Sequence, residues 1–193
     1  MSQNKYIYGS DDPVNFSDPS GQVSRKVAAA IGIDVHNQIG QDFILRNPLN
    51  RYANYTPIGE ILRIPLPYST CRPLPFFCAL EPDLVDASTH EVYEIKPLAG
   101  VQIAQTQLFV YIATLILSDP LKRPWGRGYS YFPPNIIYPR NNALQVALVS
   151  PPINGIILYQ LVDFRTALIA LLLAPLIVVP EISPIVVPVV ATI

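Results

Sequence analysis

The sequence predicts an α/β domain with a mixed central sheet flanked by helices and an apolar C-terminal tail. Three observations carry that expectation. Val27, Ile31, Val35, Ile39 and Phe43 recur every four residues, which is one stripe of an amphipathic helix. Two strand-like runs, 76–86 and Glu91–Pro97, are joined by Ala87-Ser88-Thr89-His90 and read as a hairpin. An uncharged run, 101–117, then reads as a second helix before further strand-like segments. Helix, strands, helix and strands again is the order of an α/β arrangement.

The elements follow in chain order. Residues 22–46 form the first helix, with Gly32 weakening its middle and Asn47-Pro48 stopping it. Residues 60–66 alternate as a strand does, and 65–75 is Pro-rich, which confines it to a loop or a sheet edge. After the hairpin, 101–117 is apolar on most sides and predicts a well-buried helix that ends before Asp119-Pro120. Residues 129–131, 144–149 and 155–162 read as strands separated by Pro and Asn turns. The tail, 163–193, reads as a core helix over 163–174 followed by an extended apolar segment. Its longest uncharged run, 166–180, is 15 residues, short of the roughly 20 that span a bilayer. Pro175, Pro180, Pro184 and Pro188 interrupt it further.

Composition sets outer bounds. A chain of 193 residues that is 50% apolar holds one domain with ample core. The net charge of −1 gives no global basic field, yet residues 22–140 carry 11 Lys and Arg against 9 Asp and Glu. A weakly basic surface around an acidic centre is compatible with that balance. Cys71 and Cys78 lack the spacing of a zinc site and read as free core thiols rather than a disulfide. The polar, turn-rich opening is not a signal peptide. His90 falls in the hairpin turn.

The hairpin concentrates the chemistry. With Ala87 to His90 as its loop, Asp86 faces Glu91, Val85 faces Val92, Leu84 faces Tyr93, and Asp83 faces Glu94. Opposed residues have Cβ atoms about 5 Å apart. Two carboxylates so close call for a cation between them or a proton on one. Period-two alternation places Lys96 beside Glu94 and sends Ile95 to the other face. Asp86 is the competing carboxylate, but its parity puts it on the opposite face. Asp83, Glu94 and the Ile95 backbone carbonyl are three oxygen donors for Mg²⁺ or Mn²⁺, and Lys96 is the cation that orients water or offsets developing charge. The plainer reading of the same residues is an exposed cross-strand pair with Lys96 as a diagonal salt bridge. Gln107 and Tyr111, four apart on the second helix, share one face. His36 and Asp42 lie on the first.

Two resemblances give these residues a context. Residues 5–21, with Tyr6, Tyr8, Gly9, Pro13-Val14-Asn15-Phe16, Asp18-Pro19 and Gly21, resemble the end of the core region of RHS/YD-repeat proteins. That resemblance implies a junction over 1–21 processed after Asp18-Pro19-Ser20-Gly21, a parent RHS shell, and a toxin payload beyond it. It further implies delivery by a bacterial secretion system, action in the recipient cell's cytoplasm, and a cognate immunity protein. Pro82-Asp83, Glu94-Ile95-Lys96 and the Gln107-to-Tyr111 motif resemble the PD-(D/E)XK nuclease superfamily and its RecB-like and λ-exonuclease-like members. The resemblance implies a restriction-endonuclease-like core over 22–162 and DNA as substrate. In it, Asp83, Glu94 and Lys96 are catalytic, and Gln107, Tyr111 and His36 position substrate. Two other functions fit the sequence. One is a membrane-acting toxin that uses the tail; the other is an inactive nuclease fold kept as a binding module.

Overall fold

The computed structural model describes residues 25–64, 75–140 and 145–165. Helix α1 spans Arg25–Arg46, and its stripe Ile31, Val35, Ile39 and Phe43 is fully buried. Strand β1 is Arg51–Ala53 and helix α2 is Ile58–Ile61. Strands β2 and β3 are Leu84–Asp86 and Glu91–Pro97. A 3-10 turn, Leu98–Gly100, leads into α3, Val101–Ser118. Four strands follow: β4 Gly126–Arg127, β5 Ile136–Ile137, β6 Gln145–Val149 and β7 Ile156–Asp163.

The strands form one mixed sheet in the order β1-β2-β3-β7-β6-β5, with β4 also on β3. β3 is its centre. It pairs antiparallel with β2 and parallel with both β4 and β7. Val92 through Ile95 are all buried, as expected of a strand covered on both faces. On one face α1 packs against Leu84, Tyr93, Ile95, Ile157 and Tyr159. On the other, α2 and α3 pack against Val85, Val92 and Ile156. The fold is therefore mixed α/β with helices on both sides of the sheet, and β3–α3–β4 is a parallel crossover unit.

Several expectations need correction. Residues 60–66 do not form a strand: Ile58, Ile61 and Leu62 are buried at helical spacing, and Pro57 introduces α2 with φ −64°. The strand expected over 76–86 shrinks to β2, because Pro75–Ala79 is a 3-10 turn and Pro82 has no amide for a ladder. Residues 129–131 are not a strand. The Ser130 and Tyr131 amides donate to the Tyr93 hydroxyl at 3.1 and 3.0 Å, and Tyr129 N–H donates to the Glu91 carboxylate. Those side chains take the place of a neighbouring strand. Cys78 is fully buried and disulfide-bonded rather than a free thiol; Cys71, the other cysteine in the sequence, lies outside the described residues.

α3 is also less enclosed than its composition predicts. Ala104, Leu108, Tyr111 and Leu115 face the sheet, whereas Ile103, Phe109, Ile116 and Leu117 are exposed. Asp163 ends β7, and residues 164–165 then turn helical, at the place where the sequence predicts a helix. The remainder of the tail and the processing residues Asp18, Pro19 and Gly21 lie outside the described residues.

Gly128 shows how tightly β3 is packed. A Cβ there would collide with the ring of Tyr93, which is fully buried and cannot retreat. Gly128→Ala is therefore expected to lower the unfolding free energy by about 1–3 kcal/mol. Denaturant titration checks this, and an unchanged midpoint would mean the ring is not fixed.

Candidate active site

The hairpin pairs in the predicted register: Leu84 with Tyr93, Val85 with Val92, Asp86 with Glu91. The ladder stops there. Beyond it the Asp83 side chain, not its backbone, meets β3, and Ile95 N–H donates to Asp83 Oδ2 at 2.7 Å. In an extended strand a residue's N–H and C=O point to the same edge. The Ile95 carbonyl therefore faces the edge that Asp83 occupies. Glu94 N–H points the other way, to the Gly155 carbonyl at 3.0 Å.

Parity sorts the side chains as predicted. Ile95 packs into the α1-side core, and Lys96 Nζ meets Glu94 Oε1 at 2.8 Å. Glu94 is only 1% exposed, in the middle of the central strand, so the exposed-pair reading does not hold for it. Burying a carboxylate is costly unless it is compensated. Asp83 Oδ1 lies 3.5 Å from His36 Nδ1. Burial opposes ionisation of Asp83, but His36, Lys96 and the Ile95 amide outweigh it and hold its carboxyl below the usual aspartate value.

Four other acids have structural duties. Asp86 accepts from Arg51 Nε at 2.6 Å and from the Ser88 amide and hydroxyl, closing the hairpin turn. Glu91 takes Thr89, Tyr93, Tyr129 and Ser130. Asp119 takes Arg123 and Trp125. Asp42 takes Arg46 and the Tyr131 hydroxyl. Asp86 is thus taken up by the hairpin turn and Arg51, whereas Asp83 meets His36 and the Ile95 amide.

Gln107 and Tyr111 stand one turn apart on the flank of α3 that packs on β3. Neighbouring Leu108 lies against Gly155, the residue that receives the Glu94 amide. Gln107 Oε1 is buried with no hydrogen bond to it among the described residues. His90 sits in the hairpin turn with φ +59° and its ring edge on Trp125.

Two residues the sequence reading missed complete the cluster. Tyr159, on β7, packs edge-on to His36 at 6.0 Å. Burial, opposed by Lys96 and reinforced by Asp83, pushes its hydroxyl pKa up to about 12. Asn54 donates from its amide side chain to the His36 carbonyl at 2.9 Å, and its backbone N–H donates to the Asp83 carbonyl at 2.9 Å. It thus ties α1 to the residue before β2. A legible signal existed: Gly32, His36 and Gly40 occupy one face of α1. A Cβ at Gly32 would stand 2.9 Å from the Tyr159 hydroxyl, and one at Gly40 would collide with Asn54. Two helix glycines, each costing about 1 kcal/mol against alanine, mark a close approach.

The donor set fits a hard, water-keeping cation. Asp83, Glu94, the Ile95 carbonyl and the buried Gln107 oxygen are all oxygen donors of the kind Mg²⁺ and Mn²⁺ take. Among the described residues no three His, Cys, Asp or Glu side chains gather as a group that could hold a metal ion, so carbonyl and amide oxygens would have to complete the set. No protein-family model, curated protein or solved structure matches the chain.

Asp86 and Asp83 are expected to separate by stability. Asp86→Ala leaves Arg51 unpaired and opens the turn, costing about 3–5 kcal/mol; Asp83→Asn keeps an acceptor for Ile95 and costs less. Asp83, Asp86, Glu91 and Asp119 all have folded pKa values below their unfolded ones. Their stabilisation is present above the unfolded carboxylate range and is lost as pH falls through the folded values. Urea unfolding from pH 6 downward should show stability falling below about pH 4, with a shallower fall in Asp86→Asn.

Proposed function

We propose that the chain is a metal-dependent nuclease that hydrolyses phosphodiester bonds in DNA, on a restriction-endonuclease-like core. The observation that carries this reading is Glu94, buried in the central strand beside Lys96 with Asp83 at the adjoining ladder end. A structural acid would sit where arginine and amide donors surround it, as Asp86 does. Glu94 is buried on the central strand in an ion pair with Lys96, and Asp83, held ionised, takes the amide of the residue between them, Ile95.

Asp83, Glu94 and the Ile95 carbonyl would hold Mg²⁺ or Mn²⁺, which when bound lowers the pKa of a coordinated water and offsets charge on the phosphate. Lys96, on the same strand face as Glu94, would be released from that pair when the cation binds and present its ammonium to the scissile phosphate and the attacking water. His36 and Asn54 fix the Asp83 carboxylate. Gln107 and Tyr111 line the α3 flank, where they position the strand. Water oxygen bonds to phosphorus, the bond to one ester oxygen breaks, and that oxygen leaves with a proton.

The RHS-like junction over 1–21 supports a payload released from a parent shell, delivered to a recipient cell and restrained in the producer by an immunity protein. The bonded Cys78 is consistent with passage through an oxidising compartment.

Plasmid DNA incubated with the full chain and Mg²⁺ is expected to be cut, and chelation to stop it. Asp83→Ala, Glu94→Ala and Lys96→Ala should each slow cleavage by about 10²–10⁴-fold, and Gln107→Ala and Tyr111→Phe by less. Intact plasmid with every divalent metal would reject the activity. Undiminished cleavage by Lys96→Ala and Asp83→Ala would reject the site.

A further inference from the structure

A concavity lies on the α2 side of the sheet, at the hairpin-turn end of β2. It is a cleft of about 260 Å³ bordered by Asn50, Tyr52, Ile61, Arg63, Leu121 and Arg123. Ala87 also lines it, four residues along the strand from Asp83, or about 13 Å. Tyr52 belongs to the same core face as Val92, whose parity Glu94 and Lys96 share. Tyr52 and Glu94 thus share one side of the sheet, while the Asp83 carboxylate, at the end of the ladder, meets His36 of α1.

Its walls are chemically uneven in a useful way. One wall is the end of α2 and the other the loop after α3, and each contributes an arginine. Arg123 is held rigidly: Nε and Nη2 donate to Asp119 at 2.6 and 3.2 Å, and the guanidinium stacks 5.2 Å from the centre of the Trp125 ring. Asp119 is itself fully buried and bonded to Trp125. Arg63 is exposed, and among the described residues no ion pair takes it up. Between the arginines lie the Tyr52 ring and apolar Ile61 and Leu121.

The backbone adds an independent sign. Arg63 ends α2 with φ +56°, the left-handed position where glycine is usual and a long side chain is strained. Strain kept at a non-glycine residue marks positions where the side chain is wanted. Here that side chain is a guanidinium on the rim of a cleft with a second guanidinium opposite. The Arg63 fork, with the Nη1 donors that Arg123 keeps beyond its Asp119 pair, suits phosphate oxygens, and an aromatic ring with apolar neighbours suits a base. The cleft is too small for more than one such unit.

We propose that this cleft binds one phosphate-bearing nucleotide unit of the substrate strand, a subsite about 13 Å from Asp83 along β2. The proposal rests on the nuclease reading for its choice of substrate. It predicts that the strand is held at two points, the carboxylate pair and the arginine cleft, and that the second sets affinity rather than chemistry.

The test uses the full chain carrying Lys96→Ala, which leaves the cleft untouched and prevents cleavage. Binding of a short fluorescein-labelled DNA strand is followed by anisotropy across a salt series, with Arg63→Gly and Arg63→Asn compared with the parent. Both residues adopt a positive φ readily, so both variants should fold at least as stably as the parent by thermal melting. Binding should weaken about tenfold and the salt slope should fall by about one in each. A purely structural arginine would give the opposite pattern, with affinity and slope unchanged, and that result would overturn the proposal. Plasmid cleavage by the chain with Lys96 intact is scored separately. Loss of binding in Arg63→Gly without any cleavage by the wild type would support the cleft and remove the nuclease reading.

Discussion

One hydrogen bond organises the site. The β2–β3 ladder ends at Leu84 and Tyr93, and the next inward-pointing amide on that edge, Ile95 N–H, takes the Asp83 carboxylate instead of a strand. An unpaired amide there would carry a desolvation cost of about 1–3 kcal/mol, so Asp83 is useful to the fold whatever else it does. The same bond fixes where its second oxygen points. That oxygen meets His36, which Asn54 anchors in turn. A carboxylate positioned by the end of a ladder, beside a carbonyl facing the same edge, is a place where strand geometry leaves oxygen atoms unshared with another strand.

Around that bond the acids divide by how they are neutralised. Asp86, Glu91 and Asp119 each gather several donors, including backbone amides or arginines, and each stabilises a turn or a strand end. Glu94 is set between Val92 and Lys96 on the α3-facing side of the most buried strand, where a leucine would cost nothing. Replacing a buried ion pair with apolar residues is often neutral or stabilising. The burial of Glu94 and Lys96 together is therefore not explained by stability alone, and it is the feature on which the proposed chemistry rests.

Much of this was legible in the sequence because it rests on short-range rules. The four-residue loop Ala87 to His90 fixed the register from Asp86–Glu91 to Leu84–Tyr93, but the expected Asp83–Glu94 pair lies beyond the end of the ladder, where the Asp83 carboxylate takes the Ile95 amide and His36 instead. The α1 stripe and the limits of β3 followed from periodicity. What was not legible depends on long-range pairing. β1, β4 and β5 are two or three residues each, too short for alternation to register. Residues 129–131 looked like a strand because their aromatics alternate, yet their amides bond to the side chains of Tyr93 and Glu91. Tyr159 joins the site only through the parallel pairing of β3 with β7, which no local pattern announces, although the glycines of α1 recorded its presence from the other side.

The central claim is that Asp83, Glu94 and the Ile95 carbonyl form a divalent-cation site. Crystals of the full chain soaked in Mn²⁺ test it most directly, through anomalous scattering at the manganese edge. The account predicts one peak bridging the Asp83 and Glu94 carboxylates within about 2.0–2.6 Å of their oxygens, with Lys96 displaced from Glu94 toward solvent. An intact Lys96–Glu94 pair with no manganese between the carboxylates at saturating Mn²⁺ would contradict it.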